Sequence, residues 1–268
     1  MHTIDLKNTN IRTDLILDFE VNSNKTLSNN GVSLYNNTKE KYNYSTITFL
    51  DCTDHNNISN IETILINELK RYIKKNTKVL IVGLGNRKST PDSLGPKVLD
   101  NILVTRHLFS LGDVESNYSN VSILEPNVFG STGISSIDII KQVVDIVKPD
   151  YVVLVDSLCT SNTSRLNKTI QITDKGINPG SGVYNDRGEL SENTLNCNVV
   201  AIGVPTVIDI NSLISNLIID KTKSIDIENN LIVTPKEIDY LIDNLSYIIA
   251  SSLNKVLHTI NRQDSINK

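Results

Sequence analysis

Two hydrophobic periods alternate along this chain from Lys78 onward. Residues 78–83 (KVLIVG), 121–126 (VSILEP), 151–156 (YVVLVD) and 198–205 (NVVAIGVP) are apolar at nearly every position, which predicts strands buried on both faces. Between them, apolar residues recur every three or four positions. Leu94, Val98, Leu99, Ile102 and Leu103 predict one helix, with Pro96 tolerated in its first turn. Ile137, Ile140, Val144 and Val147 predict another. An earlier helix carries Ile61, Leu65, Leu69 and Tyr72 or Ile73 on one face. The last helix has Ile238, Leu241, Ile242, Leu245, Ile248 and Ile249 as its stripe. Thr234 is its expected N-cap, with Pro235 at the first position and Glu237 completing a capping box. The first 57 residues are polar, Asn-rich and weakly periodic, with short strands expected at 31–35 and 45–50. The polar tail after His258 is expected to fray. Buried strands alternating with amphipathic helices predict an α/β fold. Its sheet is expected to be mostly parallel, flanked by helices on both faces, with additional small strands near the N-terminus.

Composition narrows the picture. With 39% hydrophobic and 21% charged residues in 268, the chain can bury a core. A net charge of −4 and no basic tract speak against direct nucleic-acid binding. The apolar runs are strand-sized, which argues against a membrane span. The N-terminus lacks a signal-peptide core, so a cytoplasmic location is expected. Cys52, Cys159 and Cys197 are odd in number and widely spaced. They predict reduced thiols, not a disulfide framework or a zinc knuckle.

The chemistry concentrates in residues 83–96, GLGNRKSTPDSLGP, a polar loop leading from a buried strand into a helix. It is not a dinucleotide fingerprint, because Lys88 stands where the third glycine belongs. Nor is it a P-loop, because Arg87 replaces the second glycine. His2, His55, His107 and His258 are scattered, and His107 reads as a helix-surface or packing residue. Asp92 lies in the loop, and Asp156 sits just after the run 151–155. In an open α/β sheet both fall at the carboxyl edge of the strands, where ligands bind. Each has a structural alternative: Asp92 as an N-cap, Asp156 as a turn residue. Together they suggest water activation, because neighbouring carboxylates share a proton and supply both an acid and a base. Asn86 and Thr90 are candidate hydrogen-bond donors to Asp92 or to a substrate backbone. Gly180, Ser181 and Gly182 form either a loop admitting an extended peptide or a simple chain reversal.

Residues 83–109 closely resemble the signature of the germination proteases of endospore-forming bacteria. Residues 131–158, 177–209 and 229–258 continue the resemblance in order, and NTNIRTDLILDFE (8–20) resembles the family's N-terminus. The resemblance implies an endopeptidase that degrades small acid-soluble spore proteins in germination, without a cofactor, in the forespore and spore core. Its fold would be similar to that of hydrogenase maturation proteases. It would be a homotetramer made as a self-processing zymogen, with a propeptide at 1–14 and one peptidase domain at 15–268. Cleavage would fall between Asp14 and Leu15, and the family's two catalytic aspartates match Asp92 and Asp156. No zinc motif is present, so no metal site is expected. The alternative is a metal-dependent peptidase of the hydrogenase-maturation type, which needs a carboxylate and histidine cluster. Two departures stand out: only LIIDKTKSIDIE fills the place of a long insertion found in many members, and Ser157-Leu158-Cys159 follows the second aspartate where small alanines are common.

Overall fold

The computed structural model describes residues 3–5, 13–19, 25–29, 31–112, 114, 117–179, 188–217, 224–226 and 231–258. Its strands are β1 (Thr3–Asp5), β2 (Lys25–Asn29), β3 (Val32–Lys39), β4 (Tyr42–Phe49), β5 (Lys78–Gly83), β6 (Asn120–Leu124) and β7 (Tyr151–Thr160). β8 (Thr169–Thr173), β9 (Asn198–Asp209), β10 (Ser224–Asp226) and β11 (Ile232–Val233) complete them. Nine of these form one mixed sheet in the order β2-β3-β4-β8-β9-β7-β5-β6, with β11 added to β9. The half made of β6, β5, β7 and β9 is parallel. The other half is antiparallel, as are the β1–β10 and β9–β11 pairs.

The continuous apolar runs lie in the parallel half, as their two-sided burial requires. Val79 and Ile81 of β5 face a core built on α2 (His55–Tyr72), α3 (Leu94–Leu99) and α9 (Ile238–Leu257). Leu80 and Val82 face the opposite way, toward α6 (Ser136–Val147) and α7 (Glu192–Leu195). The α/β fold with helices on both faces thus stands as expected, and β2, β3 and β4 extend the same sheet while β1 pairs with β10 apart from it. The remaining helices are short: α1 (Ile16–Phe19), α4 (Arg106–Leu111), α5 (Phe129–Thr132) and α8 (Ile210–Leu217).

Three local expectations are corrected. The helix expected to run through Leu103 ends at Leu99. The Leu103 N–H then donates to Asn254 Oδ1 (3.0 Å), and Asn254 donates back to the Asn101 carbonyl (2.8 Å). A long-range side-chain clasp thus replaces the next helical turn. Thr234 does not cap α9, which begins at Ile238; its hydroxyl donates to the Thr206 carbonyl (2.8 Å). Asp156 is not a strand-end turn residue but sits mid-strand, because β7 continues past residue 156 to Thr160 alongside β9. The tail 259–268 lies outside the described residues. Among those described, no helix is long and apolar enough to cross a membrane.

Candidate active site

β5 pairs with β7 only as far as Gly83–Val155 and then leaves the sheet. The next residue of β7, Asp156, therefore loses its neighbour on that side, and the loop 84–93 folds over the gap. Three glycines permit the approach. A Cβ at Gly83 would lie 2.5 Å from the Gly95 carbonyl oxygen, and one at Gly95 would lie 2.6 Å from that of Val155. Gly85 has φ +109°, and a Cβ there would fall 2.1 Å from the Asp92 carbonyl oxygen and 2.9 Å from its Oδ1. The GLG sequence thus serves backbone contact around an aspartate, not phosphate binding. A single 3-10 turn at Thr90–Asp92 presents Asp92, and the Asn86 N–H fixes its carbonyl at 2.8 Å. Arg87 fastens the loop from outside through Asp100 (2.7 Å) and Glu125 (2.6 Å).

Asp92 and Asp156 both line a cleft of about 170 Å³, with Ser89, Pro91, Thr206 and Val207. A bulge between Leu158 and Cys159, where β7 pairs with β9, leaves Thr206 as the extra residue at its wall. Asp156 is 6% exposed. Burial first, then the Asp92 charge and that of Asp14, hold its carboxyl protonated well above the usual carboxylate range; the Ser157 N–H opposes them weakly. Burial raises Asp92 to about 6 against the Asn86 N–H. Between its two titrations the pair therefore holds one proton, mostly on Asp156, and it titrates as a unit. The buried hydroxyls of Ser157 and Thr206 find no partner among the described residues, so each has bonding capacity for whatever enters.

A third carboxylate occupies the same cleft, that of Asp14. Its N–H donates to the Cys159 carbonyl (3.0 Å), and the Cys159 N–H donates to its carboxylate (2.8 Å). Residue 14 thus lies against the end of β7 as an added peptide does. Beyond it Leu15 is fully buried, and Ile16 and Leu17 pack on Tyr44 in a small cluster of their own. Asp18 anchors the far end. It accepts from the Ser161 N–H (2.8 Å), the Thr160 hydroxyl (2.9 Å) and the Ser161 hydroxyl (2.9 Å), and pairs with Arg165 and Thr13. Burial works to raise its pKa, but the Thr13 and Ser161 bonds and the Arg165 charge outweigh it and hold the carboxyl low.

The structure therefore brings together Asp92, Asp156 and the Asp14–Leu15 junction. Asn86 and Thr90 stay outside the cleft lining. The Asn86 side chain is engaged by the Lys88 N–H (3.0 Å), and the Thr90 carbonyl accepts from Ser93. Gly180, Ser181 and Gly182 lie outside the described residues. Cys159 is a buried thiol, and none of the three cysteines is in a disulfide. His107 is exposed on α4. Among the described residues no group of three or more His, Cys, Asp or Glu side chains is disposed to hold a metal ion. Sequence reading missed Gln171, Asp18 and Arg165; the only signal was the polar alternation in 169–173 and the acidic-apolar-acidic spacing of 14–18.

Residues 3–224 match the germination protease family of peptidases. A germination protease of Bacillus licheniformis is 40% identical over 256 residues, covering 72% of this chain and 70% of the relative. One from Clostridium acetobutylicum is 35% identical over 296 residues, covering 96% and 90%. One from a Geobacillus species is 35% identical, covering 85% and 80%. The chain accordingly belongs to the germination protease family, and is an endopeptidase of spore germination that hydrolyses peptide bonds.

Proposed function

We propose that the enzyme starts the degradation of small acid-soluble spore proteins, and that Asp92 and Asp156 activate the attacking water. The observation that carries the mechanism is the shared cleft: two inequivalent carboxyls meet there beside the junction of Asp14 and Leu15. Ionised Asp92 takes a proton from water as the water oxygen bonds to the carbonyl carbon. Protonated Asp156 then gives its proton to the leaving nitrogen as the C–N bond breaks. The products are a new carboxyl and a new amine, and the pair has exchanged its roles.

The chain is made as a zymogen in the forespore, on this reading, and removes residues 1–14 from itself, leaving a peptidase domain at 15–268. Asp14 supplies the acidic residue before the cut and Leu15 the apolar one after it. The active form is a homotetramer working without a cofactor in the spore core.

The test is digestion of a small acid-soluble spore protein by wild type, Asp92→Asn and Asp156→Asn, with and without chelator. The expected result is cleavage by wild type in both conditions and a loss of at least about 1,000-fold in each variant. Cleavage that survives in either variant, or that chelator abolishes, overturns the aspartate pair.

A further inference from the structure

Gln171, in the middle of β8, has no role in the mechanism above. Gln171 pairs with Gly203 of β9, and Gly203 pairs with Asp156 of β7. The three therefore form one row across adjacent strands, and facing residues in a row project to the same side of a sheet. Gln171 and Asp156 thus stand about 10 Å apart along the row, the span of two strand spacings. The glycine between them has no side chain, and that of Leu158 packs over it. Residues 14–16 run from Cys159 to Gln171 beside it. Gln171 Nε2 donates to the Asp14 carbonyl oxygen (3.1 Å), and Gln171 Oε1 accepts from the Ile16 N–H (2.8 Å). One planar amide bridges the bond between Asp14 and Leu15. It bonds the carbonyl on one side of that bond and the second N–H on the other.

We propose that Gln171 is a positioning residue for hydrolysis, clamping the backbone of the peptide across the bond to be cut. The inference rests on the assignment of the Asp14–Leu15 bond made above. The clamp fixes the plane of the scissile peptide, so that its carbonyl carbon is presented to the water held by the aspartates. The Nε2–H bond also draws charge toward the carbonyl oxygen, where negative charge develops during attack. Both partners of the clamp are main-chain groups, so it leaves side-chain selection to other contacts. Gln171 is only 6% exposed, which keeps competing water from its amide.

A purely structural role is the competing explanation: the amide could merely tie residues 13–16 to the sheet. Self-processing of the full chain separates the two. Its rate and its new N-terminus are followed by mass and sequencing across pH, with Tm measured for each variant. Wild type is expected to begin at Leu15 after processing. Gln171→Met, close in volume and unable to bond, is expected to slow processing about 100-fold. Gln171→Glu keeps the acceptor for the Ile16 N–H but loses the donor while ionised. Its rate relative to wild type should recover as pH falls and the introduced carboxyl becomes an O–H donor. The other charged groups of the groove are Asp14, Asp92, Asp156, Lys39, Lys175 and Glu189, and they are the same in both chains. The ratio at each pH therefore isolates position 171.

Gln171→Met processing at the wild-type rate overturns the clamp and leaves the cleavage bond standing. So do losses that simply follow Tm, with no recovery of Gln171→Glu at low pH. Should Gln171→Met fail to fold, the pH ratio for Gln171→Glu decides alone. A wild-type chain that begins elsewhere, or never shortens, overturns the cleavage assignment and the clamp together.

Discussion

Asp92 carries a cost in the folded chain that its chemistry requires. Burial raises its carboxyl from an ordinary value near 4 to about 6. An acid with a folded pKa above its unfolded one favours folding through its protonated form. That contribution is complete below about pH 4 and is lost as pH rises through about 6. Roughly two pKa units, at about 1.4 kcal/mol each, set the loss at up to about 3 kcal/mol. Asp92→Asn abolishes the titration. The inactive variant should therefore be less pH-sensitive than wild type, gaining on it by about 2–3 kcal/mol between pH 4 and pH 8. Urea unfolding at the two pH values reads the difference, and parallel curves for the two proteins would refute the burial cost. Asp156, pushed in the same direction by burial and by the Asp92 and Asp14 charges, makes the same trade. Site geometry is thus held against local electrostatics by the surrounding fold.

Elements carry that geometry through backbone contact. The loop after β5 meets the start of α3 with no side chain between them at Gly83, Gly85 and Gly95. Gly85→Ala forces a Cβ into the Asp92 carbonyl in a backbone region where side chains are strained, so Asp92 must shift. A misplacement near 1 Å costs about 100-fold in rate. Peptidase assays should show a kcat loss of that order for Gly85→Ala. Gly112→Ala is the control, since Gly112 also has positive φ (+74°) but nothing within 4 Å. It should lower Tm slightly and leave kcat within about twofold, and equal kcat losses in the two would sink the argument. The same contrast explains what the sequence made legible. Strands β5, β7 and β9 announce themselves because two-sided burial leaves no polar position. Asp92 and Asp156 stand out as acids placed where such runs end. β8 escapes notice because Thr169, Gln171 and Thr173 look half-exposed yet are buried. Gln171 acquires its meaning only from residues 155 and 157 positions away in sequence. The break after Leu99 is hidden likewise, since Asn254 makes it from the far end of the chain.

For the whole molecule, the N-terminal segment links folding, processing and titration. Residues 13–19 are held along the sheet edge by Cys159, Gln171 and the Asp18 cluster, so the Asp14 charge stays beside Asp156 as long as the segment remains intact. That charge favours the proton on Asp156. The one-proton form of the pair thus persists to higher pH in the full chain than it does without Asp14. Cleavage after Asp14, on the proposed reading, lets that carboxylate depart with residues 1–14 and leaves a cationic amine at Leu15 nearby. Both changes favour ionised Asp156, so its pKa falls. The acid limb of the pH–rate profile, set mainly by Asp92 near 6, should move little, since the causes resolved for Asp92 are burial and the Asn86 N–H. The alkaline limb should lie at lower pH for peptide cleavage by the processed chain than for self-processing of the full chain. Asp14→Asn in the full chain should move the self-processing limb the same way, whatever it does to the maximum rate, because the amide carries no charge. Limb position is thus separated from recognition of the residue before the cut, which alters only height. Coincident alkaline limbs in all three profiles would show that Asp14 does not govern the protonation of Asp156. A narrower window after processing would make the excised segment an electrostatic regulator of the pair as well as a plug in its cleft.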